Sequence, residues 1–145
     1  MGIRVAESDK LNRKRGLGPV TRGGVAMPWG KGVAAGGFVF LSGLEGCIDD
    51  DGAPVLGIEA QTRLALQRGQ IYLEEAGTSF SNVVRLIQYL ASPEDRGGFH
   101  AARTAWFGEQ APNLQRDQDY AGVLLIQQLS LPGCLIELEV TAVLP

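Results

Sequence analysis

Leu131-Pro-Gly-Cys-Leu-Ile-Glu-Leu-Glu-Val-Thr-Ala-Val-Leu-Pro145 alternates strictly between apolar and polar residues from Ile136 to Ala142. A β-strand turns successive side chains to opposite faces. Ile136, Leu138, Val140 and Ala142 therefore share a core face, and Glu137, Glu139 and Thr141 share the other. This strand predicts a sheet packed on one side, with two acids on the side opposite the core.

Upstream, Val123-Leu-Leu-Ile126 is a continuous apolar run, expected as a strand covered on both faces. Residues 108–121 read as a loop. Before them Phe99, Ala102, Arg103, Trp106 and Phe107 fall at helical spacing behind the capping and turn residues Ser92-Pro-Glu-Asp95. Val83–Leu90 is rich in β-branched and aromatic residues and reads as a strand. Between Glu59 and Ala76 the residues Thr62, Ala65, Leu66, Gly69, Tyr72, Leu73 and Ala76 form one helical stripe, ended by Gly77 as a left-handed cap. Asp49–Pro54 is a turn. Ahead of it, an extended segment from Val25 to Ala35 meets Phe38–Leu41 through Gly36-Gly37 as a hairpin. Glycines interrupt any periodicity in residues 1–24, which are expected as an irregular N-terminal arm before one domain spanning 25–145.

Each half thus reads strand, helix, strand. Parallel pairing needs crossovers, and right-handed crossovers put both helices on the same side of one sheet. The fold class expected is α+β, a mixed sheet with two helices on one face. Too few residues remain to cover the other face, so self-association is expected there.

The chain has 145 residues, 45% hydrophobic and 20% charged, enough for a core without metal or disulfide staples. A net charge of -3 argues against nucleic-acid binding through bulk electrostatics, and Arg13-Lys-Arg15 reads as part of a solvated tail. Cys47 and Cys134 form no C-x-x-C and are expected as reduced thiols in a cytoplasmic protein. One histidine, His100, and two scattered cysteines give no metal-ligand cluster, and no Gly-x-Ser-x-Gly elbow supports a serine triad. No apolar stretch has the length of a membrane span or the form of a signal peptide.

Pro28-Trp29, Phe38–Gly43, Gln61, Leu73–Gly77, Phe99-x-x-x-Arg103-x-x-Trp106-Phe107, Ala111-Pro112 and Leu131-Pro132 followed by Ile136–Glu139 occur in the order found in the RidA (YjgF, L-PSP endoribonuclease-like) family, which the chain resembles from about residue 25 onward. The resemblance implies a chorismate-mutase-like fold and a homotrimer whose three sheets form a central barrel, with a small-molecule pocket at each subunit boundary. It also implies imine and enamine deaminase chemistry, a hydrolase releasing ammonia, with no metal or organic cofactor.

The resemblance assigns Glu137 as the acid near the attacking water, and Ser42 and Gly43 as the turn lining the same pocket. Trp29 stands where the family has a pocket tyrosine, and Glu139 falls to a structural role, with Gln127 or Gln128 as partners. Val123 occupies the place of the family's substrate-binding arginine. A lost charge-assisted hydrogen bond of this kind costs on the order of 1.5–3 kcal/mol. Arg103, on the second helix, and Arg116, in the loop, are the cations that would compensate; otherwise they are solvated charges. Two functions follow as expectations: a divergent imine or enamine deaminase, or a catalytically degenerate homotrimer binding a small metabolite.

Overall fold

The computed structural model describes residues 13–145. In chain order the elements are β1 (Arg15–Gly16), β2 (Pro19–Arg22), β3 (Val25–Gly30), β4 (Gly32–Ala35), β5 (Phe38–Leu41), β6 (Leu44–Glu45), α1 (Ile58–Ala76), β7 (Val83–Leu90), α2 (Arg96–Gln110), α3 (Pro112–Arg116), β8 (Ala121–Ile126) and β9 (Ile136–Val143). The main sheet runs β1-β4-β5-β9-β7-β8, with β6 also on β9, while β2 and β3 form a separate hairpin.

β9 is the central strand because its alternation suits both neighbours. β5 and β7 flank it antiparallel, with Phe40 opposite Thr141 and Ile87 opposite Glu139. Those two flanking strands consequently run the same way, and β8 lies parallel to β7, so α1 and α2 are crossovers as the element order predicts. Ile136, Leu138, Val140 and Ala142 are buried in a single core with Leu66 and Leu73 of α1 and Phe99 and Phe107 of α2. Gly77 ends α1 at φ 95, a left-handed backbone that glycine adopts without steric cost. The opposite face of the sheet is open, and Phe38, Phe40, Val123 and Leu125 are exposed on it.

Four expectations need correcting. Residues 15–22 of the supposed arm are two short strands: β1 pairs with β4, and in β2 Val20 and Arg22 alternate inward, a pattern masked by the flanking glycines. Residues 1–12 of that arm lie outside the described residues. The loop at 108–121 contains α3, which Pro112 opens at a position where its missing N–H costs nothing. β8 is not covered on both faces; it is the sheet edge, and Leu124 is its one half-buried residue, packed against the core.

The fourth correction concerns the cysteines. Cys47 and Cys134 are joined in a disulfide. The β6–β9 register places Glu45 opposite Glu137 and so carries Cys47, two residues on, back toward the segment that precedes β9. That pairing is set by strands far apart in the chain. Among the described residues, no helix is long and apolar enough to cross a membrane.

Candidate functional site

β5 and β6 both pair with β9, and the chain passes between them through Ser42-Gly43. This passage brings the backbone against the polar face of β9. A Cβ on Gly43 would stand 2.1 Å from Glu137 Oε1, so any other residue here would require that carboxylate to move. Trp29 at the end of β3, Ser42, Gly43, Glu45, Leu129–Leu131, Cys134 and Glu137 line a cavity of about 150 Å³. A second, shallower recess of about 390 Å³ shares Ser42, Gly43 and Glu137 and extends to Tyr89 and Glu139.

The two acids of β9 occupy different environments. Glu139 is exposed and accepts a hydrogen bond from Tyr89 Oη at 2.5 Å; Tyr89, rather than Gln127 or Gln128, is thus its partner. Glu137 is half-buried and its carboxylate accepts no hydrogen bond from the described residues. Burial raises its pKa above the ordinary carboxylate value, and the nearby negative charges of Glu139 and Glu45 push it the same way. A carboxyl group of this kind can take up and return a proton closer to neutrality than a solvated one.

Gly43→Ala should displace the Glu137 carboxylate at little cost in stability, because the atom that must move is the end of a flexible, half-buried side chain. Side-chain carbon NMR should then show Glu137 titrating nearer the ordinary carboxylate range. An unchanged titration would show that the carboxylate does not rest on Gly43.

Trp29, Ser42, Gly43 and Glu137 are therefore brought together, and Arg103, Arg116 and Val123 lie elsewhere. Arg116 is exposed and paired with Asp117 at 2.7 Å. Arg103 packs between the rings of Phe99 and Phe107, donates to Gln88 Oε1 and contacts His100 Nδ1 at 3.1 Å. With Val123 it lines a separate open recess of about 410 Å³ beside the β8 edge. Its Nε is buried without a partner, and burial lowers the guanidinium pKa. Among the described residues, no lysine or arginine lines the Glu137 cavity.

The structure adds a group of residues that sequence reading passed over. Glu45 is 5% exposed and is clamped by Arg22 at 2.9 Å and Arg68 at 3.1 Å, both arginines being buried as well. Arg68 also donates to Ile48 O and Asp50 Oδ1. Paired charges of this sort are the form in which ions are tolerated inside a protein, and here Arg68 Nε, alone among the guanidinium nitrogens of the cluster, is buried without a partner. Arg68 was visible as a lone cation on the apolar stripe of α1, three residues after Ala65 and four before Tyr72.

The profile of the family described as Endoribonuclease L-PSP matches residues 22–144. A RutC family protein of Pyrococcus abyssi is 30% identical over 86 residues, which cover 59% of this chain and 68% of that protein. The crystal structure of a YjgF family protein from Neisseria meningitidis superposes with a TM-score of 0.73 at 21% identity, covering 93% of this chain and 98% of that one. The structure of E. coli TdcF with bound serine gives 0.71 at 20% identity, covering 86% and 94%.

Proposed function

The chain belongs to the Endoribonuclease L-PSP (YjgF/RidA) family, and from that premise we propose that it is a divergent imine or enamine deaminase-like hydrolase acting at the Glu137 cavity. The observation that carries this reading is the Glu137 carboxylate, half-buried, facing a small cavity and without a hydrogen-bond partner among the described residues. An enamine first tautomerises to its imine. With the imine nitrogen protonated, Glu137 then accepts a proton from water as the water oxygen bonds to the imine carbon, giving a neutral carbinolamine. Returned to nitrogen, that proton makes ammonia the leaving group, and the hydroxyl proton passes to Glu137 as the carbon–oxygen double bond forms and the carbon–nitrogen bond breaks, so protonated imine and water become a carbonyl compound and ammonium. Trp29 forms an aromatic wall suited to a flat, small substrate.

In this reading the chain works as a homotrimer joined through the open sheet face, whose exposed Phe38, Phe40 and Leu125 supply apolar surface to bury. Val123 and Arg103 line a recess apart from the Glu137 cavity, and Arg116 is exposed and paired with Asp117. One observation favours a second reading. The Glu137 cavity has no lysine or arginine among its described lining residues, as expected of a catalytically degenerate trimer that holds a neutral metabolite.

Following the decay of a freshly generated 2-iminoacid, with ammonia release as the readout, separates the two. Acceleration over buffer supports the hydrolase; none sinks it for that substrate class. The pH dependence is a further check. Deprotonation makes Glu137 a base, so kcat/KM should rise with pH along a limb above the ordinary glutamate range. For stability the sign is opposite. The folded pKa is raised, so the contribution of this group is fully present below the unfolded pKa and is lost as pH rises through the folded one.

A further inference from the structure

The disulfide that walls the cavity joins two sulfur atoms beside a buried carboxylate, and we propose that its reduced form, Glu45 with Cys47 and Cys134, binds a thiophilic divalent cation such as zinc. One ligand atom from each of the three lies within 4.8 Å of the others, and all three residues are buried. Cys47 Sγ is 3.9 Å from Glu45 Oε2. Tetrahedral zinc, with bonds of about 2.3 Å to sulfur and about 2.0–2.2 Å to oxygen, holds its ligands on the order of 3.5–3.8 Å apart. Parting of the sulfurs after reduction and a small closing of Glu45 reach that spacing.

Glu45 keeps the capacity to coordinate. Arg22 Nε and Nη2 occupy Oε1, and Arg68 Nη1 occupies one site on Oε2. A carboxylate offers about four lone-pair positions, so one remains on Oε2, the oxygen that faces Cys47. The arginines then orient the ligand from behind, as outer partners do in metal sites. Two buried thiolates with Glu45 outweigh Arg22 and Arg68 by one negative charge, and Asp50, exposed but paired with Arg68, adds a second. Glu45 and Cys134 line the same cavity as Glu137 and Ser42, which gives an ion held there access to it.

A dithiol supplies the two electrons and two protons that convert the disulfide to two thiols, becoming a disulfide itself. Zinc then displaces the two thiol protons. In a reducing compartment paired cysteines serve more often as metal ligands or catalysts than as structural cross-links. The site does not depend on the hydrolase reading.

The test uses the full chain, reduced anaerobically with a phosphine and dialysed against zinc alone. The reduced chain should take up one zinc, the oxidised chain none, and Cys47→Ala/Cys134→Ala none. Cobalt in place of zinc should give a thiolate-to-metal charge-transfer band that the double variant lacks. Zinc that restores structure to a reduced chain otherwise unfolded supports the site. A folded reduced chain that stays empty would overturn it, as would equal uptake by the oxidised chain or the double variant.

Discussion

Glu137→Gln should lower imine hydrolysis by roughly 10²–10⁴-fold while leaving the chain folded. Glutamine keeps the shape of the side chain against Gly43 but cannot take a proton from water. The fold does not lean on the charge, since no described residue donates a hydrogen bond to the carboxylate and burial already disfavours its ionised form. Glu139→Gln should cost far less, because Glu139 is exposed and held by Tyr89 outside the cavity. Steady-state rates with a 2-iminoacid check both. Full activity in Glu137→Gln, or equal losses in the two variants, would remove Glu137 from the mechanism.

Arg68→Ala should destabilise the protein by about 3–5 kcal/mol, since removing one partner of a buried ion pair strands the other. Arg68 is 4% exposed and satisfies Glu45 Oε2 together with the carbonyls of Glu45 and Ile48. Without it, Glu45 would keep Arg22 alone, and two carbonyls would lose a donor. For a chain of this size the melting temperature should fall on the order of 10–20 °C. Arg63→Ala serves as the comparison, because the Arg63–Glu109 pair is exposed and pairs of that kind contribute about 0–1 kcal/mol. Equal melting temperatures for the two variants would show that the Glu45 cluster does not stabilise the core.

The parts of the fold that were legible in the sequence are those fixed by local periodicity. Ile136 to Ala142 could be assigned to one face because a strand repeats every two residues, and the α1 stripe because a helix repeats every 3.6. Glu137, Ser42, Gly43 and Trp29 could be grouped through resemblance to a family, and they do line one cavity. The cysteine pairing was hidden because it depends on the β6–β9 register, a contact between distant segments. Arg22 and Glu45 were hidden because charge ordinarily signals solvent, and Glu45 solves its burial by pairing with Arg22 and with Arg68, whose place on the apolar stripe of α1 was the one signal. The apolar run of β8 misled in the other direction. Its residues suit a covered strand, but the single chain leaves Val123, Leu125 and Ile126 in the open.

The central position of β9 also bears on how the chain is made. Every strand that pairs with β9 precedes it in sequence: β5, β6 and β7 must all wait for it. During synthesis the ribosome releases α1 and α2 before the strand that receives their apolar faces has emerged. Folding of this sheet therefore waits on the last of its strands and is built on contacts of long sequence separation, so its rate should be slow for its size. Until then Leu66, Phe99 and Phe107 stay exposed to whatever in the cell binds nascent apolar segments.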